Sequence, residues 1–234
     1  MNIKCIGIVI ADGCEYEPMR DRALSDGGVK ASIGGMECVR FEYSGVRVTA
    51  VKCGIGKVNA ASAAAYLMTQ GAELLISTGY SGGIAGAPRG CTSVATGFIE
   101  HDFDLTPLGY EIAVKPDQTY FYEADPNVNR LIKSLYPHAA FGVMVTGDCF
   151  VCDDEKRDML RDKFNAVACD MESAAVASVA YKCGVGTVAV RRISDDAGND
   201  AGGLYTDAAV YDTTMTEMIL NIIGRIAEEN DDKA

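Results

Sequence analysis

A chain of 234 residues with a formal net charge of −12 suits one sizeable α/β domain, and that charge argues against nucleic acid or an anionic membrane surface as its main partner. Hydrophobic residues make up 48% of the chain, enough for a core, yet no apolar run reaches the length of a membrane span. The nine Cys, an odd number scattered through apparent strands and helices, read as free thiols of a reducing cytosol and not as a disulfide framework.

Met1 to Ile10 is too short for a leader with its cleavage site and reads as a buried first strand, with Ile6 to Ala11 as its core. Glu17 to Ser25 reads as a helix with Pro18 near its first turn. Met36 to Tyr43 and Val46 to Cys53 flank Ser44-Gly45 as a hairpin. Lys57 to Thr69 is a small-residue helix, Leu74 to Ser77 a short buried strand, and Gly79-Tyr80-Ser81-Gly82-Gly83 a Gly-rich turn. That turn is either a tight corner or a place where a ligand nears the backbone. Thr92 to Glu100 is a strand, and Thr106 to Asp125 is irregular and aromatic. Phe141 to Thr146 is a strand, Asp154 to Lys163 a helix, and Val185 to Ile193 a strand. Met215, Met218, Ile219, Ile222, Ile223 and Ile226 form one apolar stripe on a last helix, followed from Glu228 by a polar, fraying tail.

Several motifs fail as cofactor sites. Gly54-Ile55-Gly56-Lys57-Val58-Asn59 lacks the third small residue of a dinucleotide fingerprint and the spacing of a phosphate-binding loop. Cys149-Phe150-Val151-Cys152 lacks the two further ligands of a structural zinc, and two His in the whole chain support no metal cluster. No metal and no organic cofactor is expected.

The acids carry more. Cys169-Asp170-Met171-Glu172 opens an Ala-rich helix, and Val190-Arg191-Arg192-Ile193-Ser194-Asp195 ends an apolar strand. Helix, Gly-x-Gly turn and strand between them form an α/β unit that brings Glu172 and Asp195 to one sheet edge. Glu15 follows the first strand in the same way. Singly, each is equally a solvated loop residue, a helix-dipole partner or a cap. Together they lie where open α/β sheets bind ligands, outside the carboxyl ends of the strands, and two carboxyls in different environments suit acid/base work.

Asp170-Met171-Glu172-Ser173-Ala174-Ala175 with Arg191-Arg192-Ile193-Ser194-Asp195 resembles the motif pair of the 5′-methylthioadenosine/S-adenosylhomocysteine nucleosidases, within the nucleoside phosphorylase superfamily. The resemblance runs in order along nearly the whole chain, through Gly54-Ile55-Gly56-Lys57-Val58, Ser77-Thr78-Gly79-Tyr80-Ser81-Gly82-Gly83, His101-Asp102-Phe103-Asp104 and Gly147-Asp148-Cys149-Phe150-Val151. It implies a three-layer α/β/α fold with a central mixed, twisted sheet, a single domain over residues 1–234, and a cytoplasmic homodimer acting on a nucleoside. It implies that Glu15 activates water, with Arg191 as its orienting partner, and that Asp195 protonates purine N7. Glu172, beside Met171, holds the ribose hydroxyls; Phe150 stacks on adenine and the Val151 backbone reads its edge. Ile55, Tyr80, Ser81, Gly82 and Ser194 join the substrate contacts, and Leu108 lines the 5′-alkylthio pocket of the neighbouring subunit.

Breaking an N-glycosidic bond places positive charge on the sugar and negative charge on the purine, which a carboxylate and a carboxylic acid respectively oppose. A phosphorylase needs a cationic phosphate site, whereas the first loop offers Asp12 and Glu15, so hydrolysis is the favoured reaction. A phosphate-dependent phosphorylase and a nucleoside-binding protein without catalysis are the alternatives. Asp12, Tyr80 and Leu108 stand where the family usually has Met, Ser and Phe, which puts the preferred 5′ substituent in question.

Overall fold

The computed structural model describes residues 1–231. Its elements in chain order begin with β1 (Cys5–Ile10), α1 (Gly13–Ser25), β2 (Val29–Ile33), β3 (Met36–Tyr43), β4 (Val46–Lys52), α2 (Lys57–Thr69), β5 (Leu74–Gly83) and β6 (Thr92–Glu100). They continue with β7 (Phe121–Glu123), α3 (Pro126–Leu135), β8 (Ala140–Thr146), α4 (Asp154–Phe164), β9 (Ala166–Asp170), α5 (Ser173–Cys183), β10 (Gly186–Asp195), α6 (Ala201–Ala208) and α7 (Thr214–Asp231).

One mixed sheet runs in the order β10-β6-β8-β9-β5-β1-β4-β3-β2, with β7 beside β6. β5 also pairs in parallel with β10, so strands β5, β10, β6, β8 and β9 close on themselves while β1 to β4 extend from them as an open sheet. Every residue of β1 is buried, as in a parallel strand covered on both faces. Its alternation sorts the two faces. Ile6, Ile8 and Ile10 point into one core with α1, α3 and α7; Val9 points into another with α2 and α5. The α/β/α layering expected from the sequence follows.

The Ala-rich faces of α2 and α5 let both helices sit close to the sheet: a Cβ added at Gly7 of β1 would lie 2.9 Å from Leu67 Cδ1 of α2. On the other face the predicted stripe of α7 is buried at Met218, Ile219, Ile222, Ile223 and Ile226, with Met215 partly buried. The polar tail does not fray at Glu228. α7 continues to Asp231, and the Asn230 amide brackets the Ile3 backbone, accepting from its N–H at 3.0 Å and donating to its carbonyl at 2.7 Å; residues 232–234 lie outside the described chain.

Two local expectations change. α1 begins at Gly13, not Glu17, because Asp12 caps it, so Pro18 lies inside the helix and has no N–H to offer the Cys14 carbonyl. The Gly79–Gly83 segment is not a turn. β5 runs through it, pairing Gly79 with Arg191 and Gly82 with Cys169, because partners on both sides hold it extended. α3, unread in the sequence, starts at a conventional Asp-Pro cap, Asp125 accepting from the Asn127 and Val128 N–H groups.

Candidate active site

The carboxyl ends of β1, β4, β5, β8, β9 and β10 surround a cavity of about 280 Å³. Most of the residues read from the sequence line it: Glu15, Ile55, Tyr80, Ser81, Gly82, Phe150, Val151, Met171, Glu172, Ser194 and Asp195. Two do not. Arg191 lies beneath the floor, 1% exposed. Leu108 sits on a 3-10 turn over Thr106–Leu108, 70% exposed and away from this chain's cavity.

Glu15 is set by its own helix. Asp12 accepts from the Gly13 N–H, and Glu15, three residues into α1, returns the box by accepting from the Asp12 N–H at 3.1 Å. Its other oxygen accepts from the Tyr80 N–H at 2.7 Å. Burial raises its pKa above the usual carboxylate range, opposed by the Arg191 charge and these two N–H groups. No hydrogen bond joins Arg191 to Glu15 directly; the guanidinium acts on it through space.

Gly79 makes room for this carboxylate. It holds φ at 148°, and a Cβ there would lie 2.5 Å from Glu15 Oε1. Gly79→Ala is expected to push the carboxylate aside and lower kcat by about 10²-fold, the cost of roughly an ångström of misplacement. Steady-state rates on a variant with native far-UV circular dichroism check this, and an unchanged kcat would refute it.

Beneath the cavity Arg191 gathers the other acids. One guanidinium nitrogen lies 2.9 Å from Asp170 and 3.4 Å from Glu172, and donates to Ser77 Oγ at 2.9 Å and Ser173 Oγ at 3.0 Å. Asp170 ends β9 and also accepts from Thr146 Oγ1 at 2.6 Å and from the Glu172 and Ser173 N–H groups. Glu172 occupies the N-cap of α5 without capping it; its Oε1 instead accepts from the Gly56 N–H at 3.0 Å. Burial pushes Glu172 up to about 7, with Asp170 and Glu15 adding like charge against the pull of Arg191.

Raised in the fold from its ordinary 4.5 to about 7, Glu172 makes the native chain bind more protons than the unfolded one between those values. Its contribution to stability therefore falls as pH rises through that window. Urea unfolding midpoints measured from pH 4.5 to 7.5 are expected to fall less steeply in Glu172→Gln than in the parent; parallel curves would contradict this.

At the far side Asp195 closes β10. Its Oδ2 accepts from Ser194 Oγ at 2.6 Å and its Oδ1 from the Ala197 N–H at 2.9 Å, and burial raises its pKa above these opposing bonds. A Cβ at Gly82 would lie 3.0 Å from Asp195 Oδ1. Glu15 thus sits against Gly79 and Asp195 against Gly82, two glycines about 10 Å apart along the extended β5.

The loop carrying Phe150 and Val151 is braced from outside. Asp148 accepts from the Lys57 N–H at 2.8 Å and donates its own N–H to Asp102 at 2.8 Å, while Lys57 Nζ reaches Asp102 at 2.6 Å. His101 is buried and held down to about 4 by desolvation, a neutral ring in this brace. Cys149 accepts from Lys156 Nζ at 3.0 Å and both Cys149 and Cys152 are free thiols; no metal-holding group occurs among the described residues.

Six further residues line the cavity that the sequence reading did not count among its contacts, Ala11, Asp12, Cys149, Cys169, Asp170 and Tyr205, and two of them, Asp12 and Tyr205, meet each other. Tyr205, on α6, sets its ring edge-on to Phe150 at 5.6 Å and to Tyr80 at 6.3 Å, and its hydroxyl lies 3.4 Å from Asp12 Oδ2. Asp12 was legible as a departure next to Glu15. Tyr205 follows Gly202-Gly203 in a segment with no periodic pattern and gave no signal.

Glu15, Glu172 and the buried Asp195 line one cavity at the strand ends, and the chain matches the family model of the phosphorylase superfamily over residues 5–219. A 5′-methylthioadenosine/S-adenosylhomocysteine nucleosidase of Lysinibacillus sphaericus (strain C3-41) is 31% identical over 228 residues, 94% of this chain and 99% of its own. One of Shewanella frigidimarina (strain NCIMB 400) is 33% identical over 181 residues, 74% of this chain and 79% of its own. The crystal structure of the Helicobacter pylori nucleosidase with butyl-thio-DADMe-Immucillin-A is similar at a TM-score of 0.87 and 26% identity, covering 94% of this chain and 98% of that one. This chain belongs to the 5′-methylthioadenosine/S-adenosylhomocysteine nucleosidase family, enzymes that hydrolyse an N-glycosidic bond.

Proposed function

We propose that this chain hydrolyses 5′-methylthioadenosine, S-adenosylhomocysteine or a closely related adenine nucleoside to adenine and the free sugar. The observation that carries this reading is that Glu15, Glu172 and Asp195 line one cavity together with Phe150 and Val151.

Phe150 stacks on the purine, the Val151 backbone reads its edge, and Asp195, in its protonated form, donates to N7 as the glycosidic bond lengthens. Ser194 fixes the Asp195 carboxyl and Met171 packs under the ribose. Glu172 accepts from the ribose hydroxyls and its charge favours the cationic sugar. Glu15, ionised, takes a proton from the water that attacks C1′. Ile55, Tyr80, Ser81 and Gly82 wall the remainder. Arg191 acts from below, neutralising Asp170 and Glu172 and holding the latter toward the cavity. No Lys or Arg lines the cavity among the described residues, and Arg191 is committed to carboxylates, so phosphate has no partner there.

Leu108, exposed on its turn, serves the 5′ pocket of a second copy in a homodimer. No helix among the described residues is long and apolar enough to cross a membrane, and free cysteines fit a cytoplasmic site of action.

Adenine release from 5′-methylthioadenosine, with and without phosphate, tests the proposal. Adenine and methylthioribose without phosphate are expected. A sugar 1-phosphate formed only with phosphate would replace hydrolysis by phosphorolysis.

A further inference from the structure

The wall beyond Glu15 is polar where a thioether substrate needs none. Asp12 lines the cavity and is bound to Glu15 through its N–H, so it lies beside Glu15. One of its oxygens is used to cap α1; the other, Oδ2, faces the Tyr205 hydroxyl at 3.4 Å. No Lys or Arg lies within ion-pair distance of Asp12 among the described residues. The carboxylate therefore keeps acceptor capacity toward the cavity, and a second oxygen, the Tyr205 hydroxyl, stands next to it.

Resting on the hydrolase reading above, we propose that Asp12 and Tyr205 select an adenine nucleoside whose sugar carries a hydrogen-bond donor at its 5′ end. With the purine at Asp195 and C1′ facing Glu15, the 5′ carbon is the part of a nucleoside nearest this wall. A hydroxyl or an ammonium donates to Asp12 Oδ2. A methylthio group offers no donor and shields Asp12 Oδ2 from water with only the long Tyr205 hydroxyl contact to satisfy it, which is costly. Anionic 5′ groups are repelled by Asp12 and Glu15 alike. Sites built to hydrogen-bond a substrate group discriminate strongly against analogues that lack it.

The test compares kcat/KM for adenine release from adenosine, 5′-amino-5′-deoxyadenosine and 5′-methylthioadenosine, in the parent and in Asp12→Ser. Ser keeps the helix cap but withdraws the carboxylate. The ratio of the better donor substrate to methylthioadenosine is expected to fall at least tenfold in the variant. A preference for the amine over the alcohol that disappears in Asp12→Ser identifies an ammonium; equal losses for both identify a general donor site. A ratio unchanged within twofold, in a variant with the parent's melting temperature, overturns the inference while leaving the hydrolase reading intact. If the cap is lost and the variant unfolds, Tyr205→Phe is measured instead: it removes one oxygen only, and an unaltered ratio there overturns the pairing of Tyr205 with Asp12. Absence of adenine from all three nucleosides in the parent fails the hydrolase reading itself.

Discussion

Asp195→Asn is expected to lower kcat/KM for adenine release by about 10² to 10⁴-fold, the usual worth of a general acid. The substitution keeps shape: its one amide oxygen can accept from the Ala197 N–H while its NH2 donates to Ser194 Oγ, the two groups that hold the native carboxyl at 2.9 and 2.6 Å. It has no proton to give. The leaving purine then departs as an anion in a cavity walled by carboxylates. The same residue sets an alkaline limb. Burial raises its pKa, so the reactive acid persists to higher pH than a solvated Asp allows, and activity falls as pH rises through this raised pKa. Glu15, also raised, must be ionised and sets the acidic limb. Loss of the alkaline limb along with the rate in Asp195→Asn is the outcome to look for in a pH profile. A variant within threefold of the parent would remove Asp195 from the mechanism.

The largest effect on stability is expected at Arg191. It is 1% exposed and shared by Asp170 and Glu172, and removing one partner of a buried ion network costs about 3–5 kcal/mol because the remaining charges stay buried. For a chain of this size Arg191→Met should lower Tm by roughly 10 °C. The cause is separable from lost packing. Adding Asp170→Asn to Arg191→Met removes one stranded carboxylate and should recover part of the loss, as should lowering the pH toward 5, where Glu172 takes a proton below its value of about 7. Differential scanning calorimetry on the single and double variants decides. A fall under 3 °C, or no recovery in the double variant, would argue that the site's charges are better solvated than their burial implies.

Much of this was readable in the chain because pattern and environment agree. β1, the β3–β4 hairpin, α2, β6, β8, α4 and α7 carry apolar periods that match their burial. Glu15, Glu172 and Asp195 were placed at strand ends and converge on one cavity. The misreadings share a cause: local chemistry overruled by distant partners. Gly79 to Gly83 has the composition of a turn, yet β10 and β9 hold it as strand, and Gly79 is there to admit a carboxylate from α1. α1 starts early because Asp12 and Glu15 cap each other, a signal present in the sequence but masked by the Pro at position 18. Asp170 was named only as part of a motif; that it shares Arg191 with Glu172 depends on strands that meet only in the fold. Tyr205 reaches the cavity from a short helix that no periodicity marks.

The pairing of β5 with β10 has a kinetic side. Thr187 Oγ1 donates to the Leu75 carbonyl, 112 residues away in the chain, and the same pairing carries Asp195 to Gly82. Such distant contacts close late and slowly, since the entropy of the intervening loop is lost before the contact forms. During synthesis the segment bearing Glu15 is complete long before the one bearing Asp195 leaves the ribosome. The reactive pair therefore comes together only in a finished chain, and recovery of enzymatic rate after denaturation reports the last long-range closure where far-UV ellipticity reports earlier, local steps.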